Sequence, residues 1–166
     1  MEATKCFFVL AGLMVGMVSG AAPVLAKSEL PGAPDKIITD DTIRSVREWL
    51  DSPVVSLSIN SQNRLRKDMV QDQIDAADKQ WRAEREAEDQ PLVAATLTNP
   101  LSSYLTQIQA RSGGLYAEIF VMDAVGLNVG QSSITSDFWQ GDEAKFQNTY
   151  PKGANAVFID EAEYND

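Results

Sequence analysis

Three carboxylates lie close together at Asp137, Asp142 and Glu143. Paired carboxylates are what glycoside hydrolysis requires, one as acid and the other as base or nucleophile. Carboxylates gathered in one short segment more often serve as helix caps and surface charge. A second acidic set, Asp68, Asp72 and Asp75, is spaced four and three apart and so shares one helical face. Calcium needs oxygens wrapped round it by a loop, which a helix does not provide, so this face reads as solvated. The chain has no histidine. That removes the common general base, the Ser–His and Cys–His pairs and most zinc sites. The single cysteine, Cys6, stands in an apolar N-terminal run. With no phosphate loop, nucleophile motif or metal cluster, the sequence reads as non-catalytic and without a cofactor. What remains is the stretch from Ser136 to Tyr150, where aromatic and polar side chains alternate in the manner of a small-ligand pocket.

The elements that must position this stretch follow from length and pattern. A chain of 166 residues, 44% hydrophobic, holds one modest domain. Its formal net charge of −10 repels phosphate backbones, so nucleic acid is not an expected partner. Residues 1–26 read as a secretory signal. Lys5 gives a thin basic start, CFFVLAGLMVGMVSG an apolar core, and Val24-Leu25-Ala26 a cleavage site before Lys27. The alternative is an uncleaved anchor. Residues 27–39 are a linker rich in proline and glycine, and residues 40–166 form the folded domain. The expected location is periplasmic.

Asp40, Asp41 or Thr42 should start a first helix carrying Ile43, Val46, Trp49 and Leu50 on one stripe. Ser52-Pro53 should start a second, long helix running to about Glu88, because no glycine or proline interrupts it. Its apolar stripe is split. Val54, Leu57, Leu65 and Met69 share one face, and Val70, Ile74, Ala77 and Trp81 share the opposite one. The two halves should therefore pack against different partners, or the helix should bend. The charged run from Arg82 to Asp89 reads as a wet helix end. Gln90-Pro91 breaks the helix, Leu92 to Leu97 forms a short turn or helix, and Asn99-Pro100 starts another to about Arg111. That helix buries Leu101, Tyr104, Leu105 and Ile108 and is closed by Gly113-Gly114. Tyr116 to Met122 is a strand covered on both faces, Asp123 to Gly126 a tight turn, and Leu127 to Gln131 the return strand. A short helix capped by Asp137 or Asp142 follows, then a turn at Pro151-Lys152-Gly153 and a third strand at Ala156–Ile159.

The order of these parts, with IFVMDAVGLNVGQS (Ile119 to Ser132) and SDFWQGDEAKF (Ser136 to Phe146), resembles the extracellular PAS-like sensor family, the Cache or PDC domains. The resemblance covers roughly Asp41 to the C-terminus. It implies long N-terminal helices against a small antiparallel sheet, with a small ligand held between sheet and covering loops. It also implies a link to membrane sensor kinases or chemoreceptors. On that resemblance Trp139 and Asp137 look like the segment closing the pocket, and Tyr116 and Phe120 like the strand that floors it. Asp123 looks like a structural turn residue. Tyr150 and Lys145 complete the candidate ligand-binding set, Lys145 being the only cation of the pocket segment. A PAS-like sheet has five strands and only three are found here, so the expected sheet lacks its closing strands and has an open edge.

The sequence thus predicts an α+β exported sensor-type binding module for a small ligand or a membrane receptor partner. The alternative is a structural protein that assembles, as a homodimer, through its long helix and open sheet edge.

Overall fold

A computed structural model describes residues 6–10 and 38–160. The expectations for the remainder of the signal segment, for most of the linker and for the acidic tail lie outside the described residues. The fold is α+β, with helices packed on a small antiparallel sheet. Among the described residues no helix is long and apolar enough to cross a membrane.

Helix α1 spans Asp40–Leu50. Its cap is Thr39, one residue earlier than the acidic pair suggests. The Thr39 hydroxyl accepts from the Thr42 backbone N–H, and the Thr42 hydroxyl accepts from the Thr39 N–H, so two otherwise orphaned donors are satisfied. Asp40 and Asp41 lie in the first turn, where their charge suits the helix dipole. Val46, Trp49 and Leu50 are buried.

The long helix from Pro53 is divided. Helix α2 spans Pro53–Arg66 and α3 spans Gln71–Arg85. The break lacks glycine or proline. It is made by Val70 in extended conformation, whose N–H donates to the Gln73 side chain at 3.1 Å. Here tertiary packing overrides helix propensity. The buried faces of the two halves join different clusters, Val55 and Ile59 of α2 one and Ile74 and Trp81 of α3 another. The buried face of α2 is Val55 and Ile59, with Val54 packed alongside. Leu57 and Leu65, expected to be inward, are 67% and 83% exposed. In α3 Ile74 and Trp81 are buried as their spacing indicates, and Val70 is exposed. Asp68, Asp72 and Asp75 are exposed.

Helices α4 (Pro91–Leu97) and α5 (Pro100–Arg111) both begin with proline at the first turn. The Asn99 side chain caps α5 by accepting from the Ser102 N–H at 2.8 Å. Its amide donates to the Val129 carbonyl and so ties the start of α5 to the sheet. Gly113 and Gly114, at φ 64° and 91°, close the helix.

The sheet has three antiparallel strands in the order β1 (Cys6–Leu10), β2 (Glu118–Met122), β3 (Asn128–Gln131). Cys6 pairs with Met122, Phe8 with Phe120 and Leu10 with Glu118. On the other side Phe120 pairs with Gln131 and Met122 with Asn128, with an irregularity at Val121/Met122. The third strand expected at Ala156–Ile159 does not form. That segment has no regular structure, and Val157 and Ile159 are exposed. The outer side of β2 is occupied by β1. The outer side of β3 is bonded to a later segment, with the Asn128 N–H donating to Phe138 and the Gln140 N–H donating to Gly126.

One sheet face, Ile119, Val121 and Val129, is covered by α1, α2 and α5 through Trp49, Val55, Ile59, Leu101 and Leu105. Gly130 makes this approach possible, because a Cβ there would lie 2.8 Å from Leu101 Cγ. Phe120 and Met122 face the other way, against Phe146 and Tyr150. A third cluster joins Ile74 and Trp81 of α3 to Val93, Leu127 and Phe138.

Candidate site on the outer sheet face

Side chains alternate along a strand, and directly paired residues share a face. Glu118, Phe120 and Met122 of β2 therefore lie on the same side as Gln131 and Asn128 of β3. This side faces helix α6 (Ala144–Gln147) and the 3-10 turn Tyr150–Lys152. Helix α6 starts at Glu143 without a side-chain cap, so neither Asp137 nor Asp142 plays the capping part expected of them. Phe146 and Tyr150 stack with centroids 5.0 Å apart. Lys145 Nζ stands 5.3 Å from the Phe120 ring centroid, pairs with Glu143 at 2.7 Å and donates to Gln140 Oε1 at 3.1 Å.

Buried polar groups define the rest. Asn128, Gln131, Thr135 and Gln140 are all buried. The Asn128 amide donates to Gln131 Oε1 and Thr135 Oγ1, both at 3.0 Å. The Asp137 carbonyl accepts from Thr135 at 2.6 Å and from Gln140 at 2.9 Å. On this face three atoms have no hydrogen-bond partner among the described residues: Asn128 Oδ1, Gln131 Nε2 and Glu118 Oε1. An orphaned buried donor or acceptor costs about 1–3 kcal/mol, so native folds rarely leave several together. Burial raises the Glu118 carboxyl above its ordinary range, and the Lys145 charge pulls it the other way.

Of the six residues singled out from the sequence, Phe120, Lys145 and Tyr150 come together on this face. Trp139 and Asp137 do not join them. The Trp139 indole N–H donates to the Val125 carbonyl at 2.8 Å, and the ring covers Gly126 and Gly141. Asp137 pairs with Arg82 of α3 at 2.9 Å. Tyr116 lies elsewhere, buried in the α1/α5 layer and bordering an open cleft of about 320 Å³ with Trp49, Glu48, Arg111 and Ile108. Of the carboxylates read for hydrolytic chemistry, Asp137 and Glu143 are each held by a cation, and Asp142 is exposed.

The residues that fix this segment in place were not legible as site residues. Asp78 is buried, and its Oδ1 accepts the backbone N–H of Phe138 at 2.8 Å and of Trp139 at 3.0 Å. Its Oδ2 accepts from Arg82 Nε at 2.8 Å. The available signal is phase: Ile74, Asp78 and Trp81 stand at i, i+4 and i+7, so Asp78 belongs to the inward stripe. Glu84 corrects the reading of Arg82 to Asp89 as a wet end. It is buried, and its Oε2 accepts from the Leu92 and Val93 N–H groups at 2.6 and 3.0 Å, capping α4 from outside. Burial would raise its carboxyl, but the bonds from Gln80, Val93 and Leu92 outweigh that and hold it below the usual range. Asp123 fills a structural role. Its Oδ1 accepts from Val125 and Leu127, and its Oδ2 accepts from Gln62 at 2.8 Å.

Searches against protein-family models, curated proteins and solved structures find no match to this chain.

Proposed function

We propose that the chain is an exported, non-catalytic binding module of sensor type, taking a small polar ligand against the sheet face of Phe120, Gln131 and Lys145. The observation that carries this reading is the set of unpartnered buried atoms on that face: Gln131 Nε2, Asn128 Oδ1 and Glu118 Oε1. A donor and two acceptors beside the Phe120, Phe146 and Tyr150 rings suit a compact molecule with both hydrogen-bonding roles and an apolar edge. Such a ligand recovers the cost of leaving those atoms unpaired. A module of this kind passes its signal by contact with a membrane sensor kinase or chemoreceptor.

Thermal-shift screening of the chain against small amides, polyols, amines and carboxylic acids tests the reading. A true ligand at a hundred times its Kd should stabilise the fold by about 2.7 kcal/mol. Phe120→Ala and Gln131→Leu should each abolish the shift while the protein remains folded by circular dichroism. A screen with no stabilising compound, together with no membrane protein captured by the chain, would sink the reading.

Assembly is the second reading. Leu57, Leu65 and Val70 are large apolar side chains left exposed on α2 and just beyond it. Exposed apolar side chains clustered on one element are a common mark of a protein–protein contact.

A further inference from the structure

Along β2 the backbone alternates in direction. Ile119 faces β3, since its carbonyl accepts from the Ser132 N–H at 2.7 Å and its own N–H donates to the Ser132 hydroxyl at 2.9 Å. The N–H and C=O groups of Glu118, Phe120 and Met122 therefore face the outer edge. Their register partners there are Leu10, Phe8 and Cys6. Both faces of β2 are covered, and four of its five residues are buried. An edge of that kind, stripped of β1, would expose a row of unpaired backbone groups beside apolar side chains.

We propose that the outer edge of β2 is a strand-accepting docking site. In the full-length chain its occupant is Cys6–Leu10. Once that segment is removed, its occupant is an extended apolar segment of a partner chain, antiparallel to β2. The second half of this statement rests on reading residues 1–26 as a cleaved signal. The partner's chemistry is set by what the edge already accepts: CFFVL, a run with aromatic and branched side chains and no charge. Main-chain bonds to positions 118, 120 and 122 would supply the affinity, as in other strand-addition complexes. The same arrangement gives the apolar N-terminal run a second role. While seated on β2 it is withheld from any export machinery that must bind it, so folding and export compete for one segment.

The chain's sole cysteine makes a direct test. Cys6 is paired with Met122, so Met122→Cys in the full-length chain should form an intramolecular disulfide under mild oxidation. Phe120→Cys, whose partner is Phe8, should cross-link at least tenfold more slowly. A soluble peptide with Phe-Phe-Val-Leu between lysines, added in excess, should lower the Met122→Cys yield by competing for the edge. Equal yields at the two positions, or a yield the peptide does not change, would overturn the proposal. Hydrogen exchange on the unsubstituted chain covers the case in which the variants misfold. The Phe120 and Met122 amides should be protected along with Ile119. Rapid exchange at Phe120 and Met122 beside a protected Ile119 would show the edge empty and defeat the assignment. The mass of the exported product, which reports cleavage before Lys27, is read separately, so failure of the signal reading is distinguishable from failure of the docking site.

Discussion

Glu118 is the side chain most at odds with its surroundings. It lies in phase with Phe120 and Met122, and its Oε1 has no partner among the described residues. Because burial raises its carboxyl above the usual 4.5, the native state holds that proton more tightly than the unfolded chain does. The stability tied to this proton is fully present below the unfolded value and is lost as pH rises through the native one. Glu118→Gln keeps the shape and removes the ionisation. It should raise the melting temperature at pH 7 by about 3 °C and leave it nearly unchanged at pH 4. Equal shifts at both pH values would mean that charge burial is not the cause. Asp78 presents the opposite case, a buried carboxylate whose oxygens are all used. Neither role could be read from residue type alone. Both could be read from phase, since Glu118 shares the face of Phe120 and Met122 and Asp78 sits between Ile74 and Trp81.

Helix starts were the most legible elements, because Ser52-Pro53 and Asn99-Pro100 fix φ just where a missing N–H costs nothing; Gln90-Pro91, read only as a break, starts a helix for the same reason. The strand–turn–strand unit was equally plain, with Asp123 bonding its own turn and Gly126 at φ 86°. The split stripe signalled a bend between α2 and α3 but not which face of α2 is buried, since Leu57 and Leu65 are exposed. The failure of Ala156–Ile159 to pair was not legible, because it depends on which neighbours already border the hairpin. At the Asp123–Gly126 turn a Cβ on Gly126 would lie 2.6 Å from Gly141 Cα, and its positive φ disfavours any other residue. Gly126→Ala should therefore cost about 2 kcal/mol or more, read by urea denaturation. A loss no larger than that of Gly153→Ala, where a Cβ meets nothing within 4 Å, would show that φ alone sets the cost.

Two readings of the molecule, ligand receptor and assembling subunit, place different demands on its surface. If α2 pairs with a second copy, Leu57 and Leu65 are the residues that make the contact. The double change Leu57→Ser and Leu65→Ser should then convert a dimer to a monomer in light scattering without lowering the melting temperature of the monomer. A wild-type chain that is monomeric at high concentration would remove the assembly reading and leave the sheet face as the functional surface. The α+β class and the helix-on-sheet layering could be anticipated from pattern. The grouping of Phe120, Lys145 and Tyr150 could not, nor the exclusion of Trp139, which turns onto Gly126, of Asp137, which pairs with Arg82, and of Tyr116, which packs in the α1/α5 layer.

Arg82 gives the fold a mechanical property. With Asp78 it fastens α3 to the segment bordering the sheet face. Asp78 grips the Phe138 and Trp139 amides, while Arg82 holds both Asp78 and the Asp137 carboxylate. Trp81 adds a bond to the Thr135 carbonyl at 3.0 Å and a stack on Phe138 at 5.1 Å. A single side chain thus ties two carboxylates from separate segments, so the loop cannot part from α3 without breaking the Arg82–Asp137 pair and uncovering the Phe138 and Trp139 amides together.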